Sequence, residues 1–165
     1  LGINLIPESR KEQGLVHQNS VRFNVSITVL DEFIHFIRNV AGKEASIVDE
    51  KIKELNIRTP SQTQIINNLS GGNQQKAVIA KWLATKPRIL IMDEPTRGVD
   101  IGAKAEIYSI MNHLAKQGVS IIMISSELQE IVNMSDRVLV LKEGRLVKTL
   151  EHEEISQERI MGLAV

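Results

Sequence analysis

The sequence contains no cysteine, and only 3% of its 165 residues are aromatic. The absence of cysteine excludes disulfide bonds and thiolate metal sites, and it is consistent with a reducing compartment. So few aromatic side chains cannot form a surface on which nucleic-acid bases stack. Basic and acidic residues number 20 each, so no net charge attracts nucleic acid or an anionic membrane. The composition therefore gives no support to a nucleic-acid partner.

Long hydrophobic runs are also missing from the sequence. No segment approaches the ~20 consecutive apolar residues that span a bilayer, and there is no signal peptide. Any association with a membrane is therefore expected to depend on a partner protein. The chain begins at Leu1 rather than at methionine, and it opens directly on the strand-like "GINLIPE". We expect it to be a fragment of a longer protein.

Hydrophobic periodicity predicts an α/β fold. Short apolar runs predict strands at Ile3–Ile6, in "RILIMD" and in "VSIIMIS", and the last two have the composition of parallel strands buried on both faces. Helical spacing, which includes positions 27, 30, 33, 34 and 37, predicts a mainly helical subdomain from about residue 20 to 80. The core would then consist of residues 1–19 and 81–165, and it would end in a β-hairpin, "RVLVLKEGRLVKTL", and a terminal helix.

The segment "LSGGNQQK" has the features of a helix start that binds an anion. Ser70 is suited to cap the helix through its hydroxyl group. Gly71 and Gly72 leave the first turn without side chains, so a phosphate can approach the backbone amides, where the helix dipole favours negative charge. Taken alone, such a short glycine motif fits a plain junction between loop and helix better than a binding site.

The segment "ILIMDEP" places Asp93 and Glu94 at the carboxyl end of a predicted strand, where ligands bind in open α/β sheets. One carboxylate there can hold Mg²⁺ through water, and its neighbour can orient or deprotonate a water that attacks a phosphoryl group. Alternatively, the pair only ends a strand and starts a turn. The usual phosphate cradle, a glycine-rich loop that ends in Lys-Ser or Lys-Thr, is absent from the sequence.

Together, in this order and spacing, "LSGGNQQK" and "ILIMDEPTRGVD" resemble the signature and Walker B motifs of the ATP-binding cassette (ABC) ATPases. The extended forms "LSGGNQQK" and "DEPTRGVDIGAK" are similar to those of the double-cassette ATPases of bacterial monosaccharide importers. The resemblance implies a P-loop NTPase-like core with a mainly parallel sheet and a helical subdomain. It also implies that the chain is part of the second, C-terminal cassette, with the P-loop portion preceding Leu1.

The resemblance implies ATP and Mg²⁺ as cofactors and a role for each matched residue. Asp93 would be the Walker B aspartate that binds the metal, Glu94 the catalytic glutamate, and Asp100 the aspartate that ends the D-loop. Glu8 stands where most cassettes have the Q-loop glutamine, and Ser126 stands where they have the switch histidine, as in degenerate second cassettes. The implied ATP-contacting signature residues are Ser70, Gly71, Gly72, Asn73 and Gln74.

Cassettes of this family work as head-to-tail pairs. The resemblance therefore implies that the signature serves an ATP held by the first cassette of the same polypeptide, and that the isolated chain is inactive. The other implied partners are an integral membrane sugar permease, docked near residues 7–18 and the helical subdomain, and, indirectly, a periplasmic sugar-binding protein. The implied location is the cytoplasmic face of the inner membrane, with no nucleic acid bound.

Two alternatives stay open. One is a degenerate cassette that supplies a signature and a permease contact but turns over no ATP itself. The other is a non-transport ABC protein that acts on nucleic acid.

Overall fold

A computed structural model describes residues 2–35, 38, 39 and 41–165. They form two compact units, Leu1–Ile124 and Ser125–Val165. The division into a helical subdomain at about 20–80 and a surrounding core stays a prediction. The first unit contains, in chain order, β1 (Ile3–Ile6), α1 (Val21–Ser26), β2 (Ile34–His35), β3 (Arg38–Asn39), α2 (Ala41–Glu54), α3 (Gly71–Leu83), β4 (Ile89–Asp93), α4 (Ile101–Lys116) and β5 (Ser120–Ile124).

A parallel sheet with the strand order β1-β4-β5 organises the first unit, and it confirms the predicted α/β class. The pairing of Ile6 with Met92 and of Asp93 with Ile124 places the carboxyl ends of the strands at one edge. Helix α3 contacts β1, and α4 contacts β5. On one face of the sheet, Ile6, Leu90 and Met92 are fully buried.

The opposite face of this sheet remains open. Ile3 and Leu5 in β1 and Ile122 and Ile124 in β5 lie on this face, and each is about half exposed, at 48–50%. The prediction that the sheet strands are buried on both faces is therefore wrong for this chain. The physical reason is that burial follows only the face on which α3 and α4 pack, because side chains alternate along a strand.

The helical prediction for positions 27–37 is wrong at Ile34, which lies in β2. Helix α1 ends at Ser26, a 3₁₀ helix follows over Ile27–Glu32, and β2 pairs with β3 in an antiparallel manner. Val29 has a non-helical backbone, with φ −127° and ψ 28°. Four of the five residues from 25 to 29 are β-branched, which lowers helix propensity. Ile37 lies outside the described residues.

The second unit contains α5 (Leu128–Met134), β6 (Arg137–Lys142), β7 (Arg145–Glu151) and α6 (Gln157–Ala164). It confirms the predicted hairpin and terminal helix. The two-residue turn has positive φ at Glu143 (49°) and Gly144 (75°), as the twist of a tight hairpin requires. The buried core of this unit consists of Val138, Val140, Leu150 and Ile160.

No helix within residues 2–35, 38, 39 and 41–165 combines the length and the apolar character needed to cross a bilayer.

Candidate functional site

The predicted signature segment forms the start of α3. Ser70 has an extended backbone and is the N-cap, as expected, and its Oγ accepts a hydrogen bond from the backbone N–H of Asn73 at 3.4 Å. The side-chain amide of Asn73 donates to the same Oγ at 2.9 Å, and its Oδ1 accepts from the backbone N–H of Arg58 at 2.8 Å. Asn73 therefore fixes the serine hydroxyl and joins it to the segment that precedes the motif.

Close contacts require glycine at Gly72 and leave little room for a side chain at Gly71. A Cβ atom at Gly72 would lie 2.5 Å from the Cβ of Ala103 in α4. A Cβ at Gly71 would lie 2.9 Å from Nη2 of Arg10 and 3.4 Å from the carbonyl oxygen of Gly98. The first amides of a helix have no partner within the helix and are suited to bind an anion. The glycines therefore allow close packing at the start of the helix, where an anion could approach the amides.

The side chain of Gln74 binds to the turn that precedes the motif. It is buried, and its Nε2 points towards three backbone carbonyl oxygens, those of Leu69 at 3.1 Å and of Ile66 and Asn67 at 3.4 Å. These bonds hold the turn that leads into the signature. A contact between Gln74 and ATP stays a prediction.

A network of charged side chains contacts the signature helix α3. Lys76 is 2% exposed, and its Nζ donates to the carboxylate of Glu106 in α4 at 2.9 Å and to the carbonyl oxygen of Asn56 at 2.5 Å. The exposed Arg58 donates to the other oxygen of Glu106 at 3.2 Å. The hydrogen bond from Lys76 holds the pKa of the Glu106 carboxyl below its ordinary value. This network joins α3 to α4.

The two carboxylates lie at the carboxyl end of the central strand, as predicted. Asp93 is the last residue of β4 and pairs with Ile124 at the end of β5. Glu94 has a left-handed backbone with φ 47°, which is uncommon for a residue with a side chain and is often found at functional sites. Its N–H donates to the carbonyl oxygen of Ile124 at 2.9 Å. The conformation of Glu94 is thus fixed by the adjacent strand.

A compact turn connects Glu94 to α4. The N–H of Arg97 donates to the carbonyl oxygen of Glu94 at 3.1 Å, and Gly98 has a positive φ of 67°. Thr96 is buried within this turn. Asp100 caps α4, as predicted, because its Oδ1 accepts from the N–H of Ala103 at 2.9 Å. The turn therefore links the carboxylates to the helix that packs on the signature.

The described part of the chain contains no group of three or more His, Asp or Glu side chains that could hold a metal ion by themselves. Asp93 and Glu94 nevertheless fit Mg²⁺, because this ion is usually bound by one or two carboxylates together with waters and substrate phosphates.

Glu8 and its neighbours are connected to the same turn. Glu8 forms an ion pair with Arg97, and Arg10 donates to the carbonyl oxygens of Arg97 and Gly98. The charge cluster "ESRKEQ" is usually no more than a solvated loop, but in this chain residues 10–14 form a turn of π-helix. Sequence reasoning missed Arg10 and Arg97. The only available signal was the position of Arg10 next to a predicted site residue, Glu8.

Ser126 belongs to the second unit and follows the end of β5 in the chain by two residues. The neighbouring hydroxyl of Ser125 donates to the carboxylate of Glu130 and accepts from the N–H of Glu127 at 3.0 Å. These bonds shape the start of α5. The role of Ser126 at a nucleotide site stays a prediction.

Solved structures with the same fold are ATP-binding cassettes. The chain aligns with cbiO1 from Clostridium perfringens, part of the ABC transporter complex cbiONQ, with a TM-score of 0.76 and 24% identity over 98% of this chain and 62% of that one. It aligns with an ATP-binding cassette dimer in a post-hydrolysis state, bound to ADP and Pi, with a TM-score of 0.74 and 20% identity over 91% and 62% of the two chains. At these identities the likeness defines the class of fold, an ABC ATPase cassette.

A family profile described as ABC transporter matches residues 3–97. The chain belongs to this family.

Curated relatives are similar to nearly the whole chain. It is 55% identical over 163 residues to the ribose import ATP-binding protein RbsA of Shouchella clausii (strain KSM-K16), and this alignment covers 99% of the chain and 33% of the relative. It is 51% identical over 164 residues to the xylose import ATP-binding protein XylG of Pseudomonas fluorescens (strain Pf0-1), with 99% and 32% covered. The chain therefore spans about a third of the length of these relatives.

Proposed function

We propose that the chain acts as the second cassette of an ATPase that drives sugar import through a membrane permease. The observation that carries this proposal is the similarity of 99% of the chain to relatives named ribose and xylose import ATP-binding proteins. The same names argue against a non-transport protein that acts on nucleic acid. The individual sugar is not specified by any residue of the site.

The geometry supports a division of labour between two nucleotide sites. The start of α3, which Ser70 caps, is suited to contact the phosphates of an ATP held by another cassette. Asp93 and Glu94 belong to this cassette's own site, which needs a P-loop from elsewhere in the polypeptide. There Mg²⁺ would neutralise charge that develops on the phosphates. Asp93 would hold the ion, and Glu94 would orient the attacking water and accept its proton.

The second candidate is a degenerate cassette that supplies only a signature and a permease contact. Glu8 and Ser126 favour it, because neither residue matches the usual glutamine and histidine of an active cassette. Glu8 is moreover ion-paired with Arg97. The intact "MDEP" and the fixed backbone of Glu94 favour turnover instead.

Substitution of Glu94 separates these two candidates. In a polypeptide that contains both cassettes, we expect Glu94→Gln to remove the share of ATP turnover contributed by this site, because a positioned general base contributes about 10²- to 10⁴-fold at the site it serves. Glu143→Gln is a matched control, since Glu143 has a similar left-handed backbone (φ 49°) in the hairpin turn. Turnover equal to that of the control would support the degenerate cassette.

We place the permease contact at residues 7–18 and the adjacent helices, on the cytoplasmic face of the inner membrane. The motivation is positional, because Glu8 in this segment stands where the family has its Q-loop glutamine, beside which its cassettes contact the permease. A periplasmic sugar-binding protein would then act indirectly, through the permease.

Cysteine cross-linking can test this docking surface, because the chain has no natural cysteine. We expect Gln13→Cys to cross-link with cysteines in the cytoplasmic loops of the permease. Met161→Cys on α6 is the control, since its side chain is also exposed. Cross-links that form only from α6 would contradict the proposed surface.

A further inference from the structure

The guanidinium group of Arg10 joins two parts of the candidate site that are far apart in the sequence. Nη1 donates to the carbonyl oxygen of Arg97 at 2.9 Å, and Nη2 donates to that of Gly98 at 3.0 Å. These carbonyls are consecutive, and they belong to the turn between Glu94 and α4. Hydrogen bonds from a charged donor are stronger than those between neutral groups. Arg10 therefore holds this turn at two adjacent points.

The same group lies against the start of α3. A Cβ atom at Gly71 would approach Nη2 to 2.9 Å, and a Cβ at Gly98 would approach Nη1 to 3.6 Å. The Nε atom of Arg10 is buried and has no hydrogen-bond partner among the described residues. The guanidinium thus lies between the signature glycine and the turn, and a side chain at Gly71 would displace it.

A second contact reinforces this arrangement. Glu8, two residues before Arg10, is ion-paired with the side chain of Arg97. The segment that contains Glu8 and Arg10 therefore contacts the turn through one carboxylate and one guanidinium. A shift of this segment is expected to move the turn, and with it the backbone of Glu94.

We infer that Arg10 is a positioning residue that fixes the turn after Glu94 relative to the signature helix, so that both ends of the site keep the geometry needed for ATP turnover. This inference rests on the proposed function. Arg10 acts through backbone carbonyls and is assigned no contact with ATP.

The test uses the two-cassette polypeptide and the variants Arg10→Ala, Arg10→Lys and Lys11→Ala. Lys11 is an exposed neighbour, so its variant removes the same charge without the two hydrogen bonds. We expect Arg10→Ala to lower kcat for ATP by about ten- to a hundredfold, since small misplacements of catalytic groups have effects of this size. KM for Mg²⁺-ATP should stay within about twofold, because most phosphate affinity comes from the P-loop.

Arg10→Lys should recover part of the lost kcat, since an ammonium group can bind one of the two carbonyls but not both in the fork geometry of arginine. Amide hydrogen exchange at Arg97 and Val99 should increase in Arg10→Ala, while exchange in β4 stays unchanged. Equal kcat and equal exchange in Arg10→Ala and Lys11→Ala would overturn the inference. Absence of turnover in the wild-type polypeptide would contradict the proposed function instead, and the exchange measurement would then test the position of Arg10 by itself.

Discussion

The two ends of the candidate site differ in how completely this chain builds them. At the signature end, Ser70 is held by Asn73, and α3 is joined to α4 through the buried Lys76 and Glu106. At the carboxylate end, Asp93 and Glu94 extend from a three-stranded sheet whose second face is half exposed. The signature end is thus structurally complete, whereas the carboxylate end lacks both a P-loop and a cover for its sheet.

This difference supports the proposal that the cassette contributes a signature to one ATP site and needs a P-loop to complete the other. A signature that contacts an ATP held by another cassette needs a geometry fixed by its own chain, because the surface that it meets belongs to another domain. In the proposed function, the carboxylates act on an ATP whose phosphates are held by other residues of the same cassette. The carboxylates can take part in catalysis only when those residues are present. The comparison predicts that substitutions at either end reduce ATP turnover in the two-cassette polypeptide, and that the open sheet at the second end also makes the isolated chain associate.

The largest effect is expected for Gly71→Asp in the two-cassette polypeptide. The new side chain would contact Arg10 and Gly98 and would place a negative charge where a phosphate is to bind. We expect ATP turnover to fall by more than about a hundredfold, the size of effect seen when one stabilising contact to a transition state is removed.

Gly42→Asp in α2 provides the control, since a Cβ there meets no atom within 4 Å. Wild-type turnover of Gly71→Asp would contradict the assignment of the signature. A comparable loss in both variants would indicate a general loss of stability rather than a defect at the phosphate site.

The open face of the sheet should make the isolated chain associate with itself. Leu5 and Ile122 both pair with Ile91 and lie on this face. The double variant Leu5→Thr, Ile122→Thr should weaken association by about 2 kcal/mol, because each half-exposed side chain has about 1 kcal/mol of burial left to gain. Sedimentation velocity over a range of concentrations measures this. Ile101→Thr, which alters an 87% exposed side chain on α4, is the control, and equal association of all three proteins would argue against the open face.

A smaller effect on stability is expected at Glu106. Glu106→Gln should lower the free energy of unfolding by about 1 kcal/mol, a value reduced because this carboxylate is partly exposed. Arg58→Ala should cost less than about 0.5 kcal/mol, since its side chain is 72% exposed. Urea unfolding followed by circular dichroism measures both, and a larger loss for Arg58→Ala would contradict the dominant role of Lys76 in holding Glu106.

The pH dependence of this effect has a defined sign. The folded-state pKa of Glu106 is lowered by the hydrogen bond from Lys76, so its contribution to stability is present above its unfolded pKa. The contribution is lost as the pH falls through the folded pKa. The difference in stability between the wild type and Glu106→Gln should therefore decrease at acidic pH.

Local sequence rules predicted those parts of the site that depend on neighbouring residues. The cap by Ser70, the strand that ends at Asp93 and the cap by Asp100 each follow from a few adjacent side chains. The contacts of Arg10 with the turn join residues 87 and 88 positions apart, and Lys76 reaches Glu106 across 30 positions. No short motif specifies such pairs, which depend on how α3, α4 and the turn pack.

Local sequence rules also did not predict the direction in which a side chain points. Gln74 belongs to the signature segment by sequence, yet its amide points towards the carbonyl oxygens of the preceding turn. The strands of the sheet were predicted from apolar runs that are typical of burial on both faces. Whether the second face is covered depends on other segments, and for this chain the face is open.

The most direct test of the difference between the two ends is titration calorimetry of the isolated chain with Mg²⁺-ATP, after circular dichroism has shown that the chain is folded. Most phosphate affinity of P-loop enzymes comes from the amide-lined loop and its lysine, and this sequence contains neither. Asp93 and Glu94 present negative charge to a polyanion, and the signature supplies amides from one side only. We expect no saturable heat of binding and no ATP turnover above background. Low-micromolar binding, or turnover by the isolated chain, would show that it contains a complete nucleotide site and would contradict the division between a complete signature end and an incomplete carboxylate end.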